Sequence, residues 1–459
     1  MLPVPSSVAI RPAPVGVAEA LSSARETRSL LIGPGVLERV PAVFREQFAG
    51  ARAVVVCDVN TWNVAGQAVQ AGLRAAGLAG AEPFVFRDPA LYAEHRYVEP
   101  LEQALAAHDA VPIAVGSGTI NDLVKLAAHR TGRSYLCVAT AASMDGYTAF
   151  GASITYRGAK QTFNCPAPRA VVADIDVIRH APPEMTASGY ADLQAKITAG
   201  ADWLLADALG VEAIEARAWT IVQGGLDEAL ADPAGARAGR PTAITPLVEG
   251  LMLGGFAMQW TKSSRPASGA EHQFSHLWDM EHHTHDGVAP SHGFKVGVAT
   301  LAVTTLYEAL LAQPIHQLDV EACCARWPDR AQLEADIRRR FADTDFVDTA
   351  VQESLAKHVS RDELRAQLLR ASALWPDLRP QLSAQLVPSR ELRRRLELVG
   401  APATPEAIGL TRERLRGSFI RAYHLRRRFT VLDLAVRTGL LEPCLGTLFA
   451  PNGPWGSAT

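Results

Sequence analysis

This sequence of 459 residues has few of the features that mark membrane, secreted or nucleic-acid-binding proteins. No apolar run is long enough to cross a bilayer, and residues 1–16 lack the basic start and continuous apolar core of a signal peptide. The net charge of −3 gives no electrostatic reason to expect nucleic acid or an anionic membrane as a partner. We therefore expect a cytoplasmic protein that binds neither nucleic acid nor a membrane.

The chain also lacks a disulfide or zinc framework. Its six cysteines form no CxxC pair and no regular spacing, which is typical of small buried apolar side chains in a reducing compartment. We find no internal repeat and no low-complexity segment. A hydrophobic content of 48% with 20% charged residues is that of a soluble globular protein, and the length allows two domains.

Short apolar runs alternate with helical patterns over the first part of the chain. Strands are predicted at 29–33, 53–57, 83–86, 111–115, 135–138 and 170–173, and helices at 36–48, 64–77, 97–108 and 119–129. The run Ala53–Cys57 is apolar throughout, as expected for a strand that is buried on both faces of a parallel sheet. This alternation predicts an open, mainly parallel sheet.

The pattern changes from about Thr186, where strand-like runs largely give way to long Ala-, Leu- and Arg-rich segments of helical periodicity. We place a boundary near Pro182–Pro183. The prediction is an α/β Rossmann-like domain over residues 1–183 and an all-α domain over residues 184–459.

A glycine-rich turn, Gly116–Asp122, lies between a predicted strand and helix, where free backbone N–H groups could bind a pyrophosphate. It departs from the GxGxxG fingerprint because Asn121 stands at the third glycine position. Asp58 at the end of an earlier strand could accept hydrogen bonds from a ribose, and Thr140–Ser143 follow the next strand. Each feature alone is typical of a cap or turn, but together they favour a dinucleotide site.

Nearly half of the 13 histidines lie between Pro266 and Lys295, namely His272, His276, His282, His283, His285 and His292. His272 and His276 are four residues apart and would share one face of a helix. His292 follows a Gly- and Pro-containing loop that could bring it back to them. Two imidazoles and a carboxylate would form a metal site with an open position, although a polar helix end remains an alternative.

For the other three histidines we favour a solvated helix end and loop. The arginine-rich segment Thr411–Val431 could bind phosphate or nucleic acid. Its apolar positions recur at helical spacing, however, and an amphipathic helix with a charged face is the favoured interpretation.

Several ordered motifs resemble the sn-glycerol-1-phosphate dehydrogenase family of the iron-containing alcohol dehydrogenase and dehydroquinate synthase superfamily. They are GSGTINDLVKLAAHRTG, ATAASMDGY, GYADLQAK, SGAEHQFSHLWDM and SHGFKVG. The C-terminal IGLTRERLRGSFIRAYHLRRRFTVLDLAVRTGLL resembles the bacterial branch of the family. The resemblance implies an active site in the cleft between the α/β and all-α domains.

The resemblance also implies roles for individual residues. It places one divalent metal (zinc, nickel or iron) on Asp192, His272 and His292, and assigns substrate contacts to Asp145, Asp192 and His276. From residue type and position alone, Asp192 would be a first-turn helix carboxylate or a partner of Lys196. The implied dinucleotide-binding residues, for NAD or NADP, are Asp58, Gly116, Gly118, Thr119, Ile120, Asn121, Asp122, Thr140 and Ser143. Relatives often have a serine after the Asp-Gly pair, and here Thr148 is expected to take its place.

The implied activity is reversible, metal-dependent reduction of dihydroxyacetone phosphate to sn-glycerol 1-phosphate with NAD(P)H. The substrate is thus a small phosphorylated triose or polyol, and we expect a homo-oligomer, a dimer or larger. Alternatives are another polyol or alcohol dehydrogenase of the superfamily, a dehydroquinate synthase-like cyclase that regenerates its NAD in each turnover, or a sensor that binds metal and nucleotide without turnover.

Overall fold

The computed structural model describes residues 8–156 and 159–456. The first seven residues of the segment compared with a signal peptide therefore lie outside the described residues. Eight strands are described, numbered in chain order: β1 (Ser29–Gly33), β2 (Ala53–Asp58), β3 (Phe84–Phe86), β4 (Val111–Gly116), β5 (Leu136–Ala139), β6 (Ala152–Tyr156), β7 (Ala159–Phe163) and β8 (Ala170–Asp174).

Six strands form one parallel sheet in the order β1-β8-β5-β4-β2-β3. Its central strands are buried on both faces, which explains why their sequences are apolar throughout. The chain leaves β2 toward β3 on one side and returns to place β4 on the other side of β2. The carboxyl ends of β2 and β4 therefore flank the position where open α/β sheets bind ligands.

Helices surround this sheet: α1 (Val17–Ser23), α2 (Val40–Gln47), α3 (Val59–Thr61), α4 (Gln67–Ala75), α5 (His95–Ala106), α6 (Gly118–Arg130) and α7 (Ile175–Ile178). Each strand predicted from the sequence is present to within a residue or two. The predicted helix at 36–48 is a 3₁₀ turn followed by α2, and that at 64–77 begins as a π-helical turn before α4.

The antiparallel hairpin of β6 and β7 was not predicted. Its strands mix apolar and polar residues and are only partly buried, so they carry no continuous apolar run. It supplies one wall of the cleft described below.

The α-helices after β8 and α7, joined by loops and short 3₁₀ turns, are α8 (Pro183–Gln194), α9 (Lys196–Ala208), α10 (Ala216–Gln223), α11 (Leu226–Ala229), α12 (Pro233–Arg237), α13 (Pro241–Thr261), α14 (Ala270–Met280), α15 (His292–Leu311), α16 (Val320–Arg326), α17 (Arg330–Arg340), α18 (Val347–Lys357), α19 (Arg361–Gln385), α20 (Ser389–Val399), α21 (Arg412–Tyr423), α22 (Val431–Arg437) and α23 (Leu441–Leu448). The predicted architecture of a parallel sheet with helices followed by an all-helical region is confirmed.

The change from sheet to helices occurs at Pro183, but the first described residues lie against the helical region. The Trp219 indole N–H donates to the carbonyl of Ala9 at 2.9 Å, and Gln259 donates to the Thr27 hydroxyl at 3.0 Å. That residues 1–183 and 184–459 are separate domains, each able to fold independently, stays a prediction.

Helix α15 is long and apolar enough to cross a membrane by length and composition, yet 78% of its apolar window is buried inside the protein. It packs against α8 and α14 as a core helix. This packing places the amino end of α15 next to one turn of α8 and one turn of α14.

The first half of the arginine-rich segment forms the amphipathic helix that the sequence favours. Leu415 and Phe419 are fully buried on one face of α21, while Arg412 and Arg416 on the other pair with Glu406 and Glu442. The helix ends at Tyr423, so the three consecutive arginines that follow lie in a loop.

Candidate active site

A cavity of about 860 Å³ lies at the carboxyl edge of the sheet, against the helical region. Its walls come from the β4–α6 turn, the Ser143–Gly146 segment and the β6–β7 hairpin on one side. The amino ends of α14 and α15 and the loop that contains Arg426–Phe429 form the other side. This volume is typical of a site that encloses a small molecule.

The structure brings the three predicted metal ligands together at this cleft, where His272 and His292 line the cavity and Asp192 is fully buried beside them. Asp192 lies in the last turn of α8, His272 in the first turn of α14, and His292 is the first residue of α15. One ligand atom from each lies within 4.8 Å of the other two. The His272 Nε2 and Asp192 Oδ1 atoms are 3.6 Å apart. Two imidazole nitrogens and one carboxylate suit a divalent transition metal and leave coordination positions open.

The pKa shifts of His292 and Asp192 fit a metal site, and that of His272 reflects the two carboxylates beside it. Burial lowers the pKa of His292 to about 3, so its imidazole is neutral near pH 7. Burial also opposes protonation of His272, but the nearby carboxylates of Asp192 and Glu271 outweigh it and raise the pKa of that imidazole. Burial would favour the acid form of Asp192, yet nearby Lys196 and His272 hold the pKa of this carboxyl far below its usual value.

Lys196 neutralises the carboxylates at the cleft. Its ammonium group is buried and lies 2.9 Å from Oδ1 of Asp192 and 2.7 Å from Oδ2 of Asp145. The backbone N–H of Asp145 donates to Asp192 at 3.2 Å. Asp192 therefore pairs with Lys196, as one sequence interpretation held, and also faces the two imidazoles. The alternative of a first-turn carboxylate is wrong, because Asp192 lies in the last turn of α8.

Glu271 is a residue of the site whose role sequence reasoning missed. Its carboxylate lies 2.8 Å from His272 Nδ1 and also accepts hydrogen bonds from the Thr198 hydroxyl and the Gly269 N–H. A carboxylate on Nδ1 directs the Nε2 lone pair of His272 toward Asp192. The adjacent pair Glu271–His272 is the signal that could have identified it.

Behind Glu271 lies Asp202, a second buried carboxylate. It accepts hydrogen bonds from the Tyr307 hydroxyl at 2.5 Å and from the N–H groups of Ala270 and Val431. Burial, with the charge of Glu271, raises the pKa of Asp202 to about 7. These contacts fix the start of α14 and hence the position of His272.

His276 lines the cleft one turn after His272, with ring centroids 6.5 Å apart. Its Nδ1 atom is buried and makes no hydrogen bond within the described part of the chain. Burial and the charge of Arg426 lower the pKa of His276 well below its usual value. A neutral imidazole thus lines the cavity, and its buried Nδ1 has no hydrogen-bond partner in the described part of the chain.

The other histidines behave in two ways. His282 and His285 are exposed near the end of α14 and in the loop that follows, as expected. The prediction is wrong for His283, which is buried: its Nε2 lies 2.6 Å from the Ile408 carbonyl and its Nδ1 lies 2.9 Å from Arg414. The polar groups of α21 and the preceding loop provide these partners, and they are remote in sequence.

Four of the predicted dinucleotide-binding residues line the cleft: Gly118, Thr119, Asp122 and Ser143. Helix α6 begins at Gly118, so its first N–H groups face the cavity. A Cβ atom on Gly116 would lie 2.6 Å from the Ile120 side chain, which explains why the turn needs glycine there.

The remaining predicted residues of this set lie around the turn and do not line the cavity. Asp58 ends β2 and caps α3 by accepting the Thr61 N–H at 2.8 Å. Ile120 is buried in the core, and Asn121 is held by Tyr135 and the Gly146 carbonyl. Thr140 is buried, and its N–H donates to the carbonyl of Gly116.

Thr148 does not take the position expected of a cofactor contact. Its side chain is fully buried, and its hydroxyl donates to the Met252 carbonyl at 2.7 Å. The close approach of Gly255 on α13 to this hydroxyl explains the burial, since a Cβ there would lie 2.0 Å from Oγ1. Thr148 joins the sheet region to α13 instead of facing the cavity.

Comparison with known proteins agrees with this arrangement. Residues 31–182 match the family model described as iron-containing alcohol dehydrogenase. The probable glycerol dehydrogenase of Sinorhizobium meliloti 1021 superimposes with a TM-score of 0.56 and 15% identity over 92% of this chain and 97% of that one. Glycerol dehydrogenase of Schizosaccharomyces pombe superimposes with a TM-score of 0.55 and 16% identity, over 91% of this chain and 90% of that one. These structures share the fold.

Proteins of similar sequence identify the family more narrowly than the structural matches do. The chain is 33% identical over 286 residues to the glycerol-1-phosphate dehydrogenase [NAD(P)+] of Halalkalibacterium halodurans, a match that covers 62% of this chain and 71% of that protein. It is 34% identical over 283 residues to the enzyme of the same name from Methanosarcina barkeri, with coverages of 61% and 76%. The chain therefore belongs to the glycerol-1-phosphate dehydrogenase family, within the iron-containing alcohol dehydrogenase superfamily.

Proposed function

We propose that this protein is a metal-dependent dehydrogenase that interconverts dihydroxyacetone phosphate and sn-glycerol 1-phosphate with NAD(P)H or NAD(P)⁺. The observation that carries this proposal is the position of Asp192, His272 and His292, whose ligand atoms lie within 4.8 Å of one another. His272 and His292 line the same cleft that the amino end of α6 enters, and Asp192 is fully buried beside them. The family membership supports the same activity.

The three side chains would hold a zinc, nickel or iron ion. When bound, the ion would polarise the substrate carbonyl and the reduced nicotinamide would supply hydride. Lys196 keeps Asp192 ionised, the backbone N–H of Asp145 helps to fix it, and Glu271 keeps Nε2 of His272 directed at the ligand position. The chain thus pre-organises a site for a divalent ion and a carbonyl oxygen.

His276 is proposed to relay the proton that accompanies hydride transfer. Reduction delivers hydride to the carbonyl carbon and a proton to its oxygen, and the proton must come from a group at the cleft. A neutral imidazole can accept a proton at one nitrogen and release one at the other. An unchanged pH–rate profile in His276→Ala would exclude this role.

The dinucleotide is proposed to lie along the β4–α6 turn, with its phosphates at the amino end of α6 and its ribose at Asp58. This places it at the switch point between β2 and β4. The Asp58 carboxylate would repel a 2′-phosphate, so we propose a preference for NAD over NADP. The homo-oligomeric state and the cytoplasmic location remain predictions.

The first test is NADH oxidation with dihydroxyacetone phosphate, before and after chelation and after metal is added back. We expect turnover that depends on the metal and is lost in His272→Ala. Consumption of a substrate without net change in NADH would instead indicate a cyclase. Tight NAD binding without turnover on any polyol phosphate would indicate a sensor.

A further inference from the structure

The cleft contains an arginine that forms no close ion pair with an acid. Arg426 lies in the loop between α21 and α22, is half-buried and lines the cavity. Among the residues that the structure describes, no carboxylate oxygen lies within 4 Å of its guanidinium group, and it makes no side-chain hydrogen bond. Because a partly buried cation without a partner is costly, this position needs an explanation.

The next two arginines in the chain have hydrogen-bond partners. Arg427 binds both carboxylate oxygens of Glu353, at 2.6 and 3.2 Å. Arg428 donates to the Ser268 carbonyl at 2.6 Å and to the Ser264 hydroxyl at 2.9 Å. Glu353 is thus occupied by the neighbouring arginine, and Arg426 remains available to a bound anion.

Arg426 lines the same cavity as His276 and the metal ligands His272 and His292. After burial, it is the largest cause of the lowered pKa of His276. That imidazole is one helical turn from the metal ligand His272. The phosphate of a triose phosphate is on the carbon next to the carbonyl, so its binding group must lie in this same part of the cavity.

A second cation faces the cavity from the opposite wall. Lys160 on β7 lines the cleft, and its ammonium group lies 3.5 Å from the Tyr92 hydroxyl. It has no carboxylate oxygen within 4 Å in the described ranges. Its charge, like that of Arg426, reaches His276. Two cations from separate elements suit a phosphate monoester, which carries close to two negative charges at pH 7.

We propose that Arg426, together with Lys160, binds the phosphate group of the substrate and so determines the preference for a phosphorylated triose over a free one. This inference rests on the proposed function. The dinucleotide pyrophosphate is the other phosphate that could approach these side chains, but the amino end of α6 already provides for it. The kinetic constants for dihydroxyacetone phosphate and for NADH distinguish binding of the substrate phosphate from binding of the dinucleotide pyrophosphate.

The test compares wild type, Arg426→Gln and Arg426→Lys, each loaded with metal. Steady-state kinetics are measured with dihydroxyacetone phosphate, with unphosphorylated dihydroxyacetone and with varied NADH. For Arg426→Gln we expect kcat/KM for the phosphorylated substrate to fall about 10- to 100-fold, mainly through KM. The kcat/KM for dihydroxyacetone should fall much less, the KM for NADH should stay within about two-fold, and Arg426→Lys should be intermediate.

Inorganic phosphate provides a readout that does not need turnover. We expect it to raise the melting temperature of the metal-loaded wild type and to inhibit competitively against dihydroxyacetone phosphate. Both effects should be lost in Arg426→Gln. Arg416→Gln serves as the matched control, because this arginine on α21 is exposed and pairs with Glu442 outside the cleft; it should retain both effects.

Equal losses for the phosphorylated and free substrates, or a raised KM for NADH alone, would overturn the assignment. So would phosphate binding that is unaffected in both Arg426 variants. If wild type does not turn over dihydroxyacetone phosphate but binds phosphate through Arg426, the proposed function fails and the phosphate site stands. If wild type turns it over and the variants match it, the function stands and this inference fails.

Discussion

The carboxylate of Glu271 lies 2.8 Å from Nδ1 of His272, while Nε2 of the same ring points toward Asp192 at 3.6 Å. The ring is therefore held between a carboxylate that fixes its orientation and a carboxylate that shares its ligand position. Such outer partners tune metal affinity through the orientation and basicity of the imidazole.

Replacing Glu271 with glutamine should weaken divalent metal binding by about 10- to 100-fold. Glutamine is nearly isosteric but lacks the charge that polarises the ring. The affinity is measured by competition with a chelator on metal-free protein. Glu413→Gln, an exposed change on α21, is the control and should leave the affinity unchanged. Equal affinities in wild type and Glu271→Gln would show that Glu271 does not act through His272.

Replacing Lys196 with methionine should destabilise the metal-free protein by about 3–5 kcal/mol. The change leaves the buried carboxylates of Asp192 and Asp145 without their cation. The free energy of unfolding is measured with denaturant in the presence of a chelator. Arg338→Met is the matched control, since it removes exposed ion pairs on α17 and should cost no more than about 1 kcal/mol.

Added divalent metal should restore part of the stability of Lys196→Met, because a cation beside Asp192 replaces one of the lost charges. The stabilisation by metal should therefore be larger in the variant than in wild type. A variant as stable as wild type in chelator would contradict the structural role of the pair.

The sheet was predictable from sequence because its strands are buried on both faces. Ala53–Asp58 has no polar residue before Asp58, so burial is visible as an unbroken apolar run. The hairpin of β6 and β7 was not predictable in this way, since its residues are only partly buried and mixed in polarity. Its position against the cleft depends on tertiary contacts.

The site was predictable in part. His272 and His292 are candidates by residue type and spacing, whereas Asp192 is distant in sequence and was implied only by family resemblance. The roles of Lys196 and Glu271 depend on complete burial beside other charges, a property that no local pattern in the sequence reports. The importance of Arg426 likewise depends on tertiary contacts, because the neighbouring Arg427 binds the nearby Glu353.

His424 should make stability depend on pH. Burial and the nearby Lys357 lower the pKa of this imidazole to about 3, and its Nδ1 lies 2.8 Å from the Ser354 hydroxyl. In the unfolded chain the pKa returns to about 6.5, so below that pH the unfolded state binds a proton that the folded state excludes. The free energy of unfolding should therefore fall as the pH drops below about 6.5.

Between pH 7 and pH 5 this group should remove about 2 kcal/mol of stability. His424→Gln is expected to be less stable than wild type at pH 7, but the gap should shrink by that amount at pH 5. His285→Gln, in an exposed loop position, should follow the wild-type dependence. Parallel curves for wild type and His424→Gln, from denaturant unfolding at both pH values, would show that His424 titrates normally.

Asp58 allows the charge and the capping role of one side chain to be separated. It ends β2 at the switch point and accepts the Thr61 N–H at 2.8 Å, while the Thr61 hydroxyl accepts the N–H of Asp58. Asparagine caps helices as well as aspartate does, so Asp58→Asn should change the free energy of unfolding by less than about 0.5 kcal/mol. Asp58→Ala should cost about 1 kcal/mol.

The preference between NADH and NADPH should depend on the charge at residue 58 and not on its helix-capping hydrogen bond. If the Asp58 carboxylate lies at the ribose, Asp58→Asn should raise the ratio of kcat/KM for NADPH to that for NADH about ten-fold, because the repulsion of the 2′-phosphate is removed. Asp58→Ala should shift the ratio to a similar extent despite its lower stability. An unchanged ratio in both variants would place the ribose away from the end of β2, and the repulsion could then not account for a preference between the two dinucleotides.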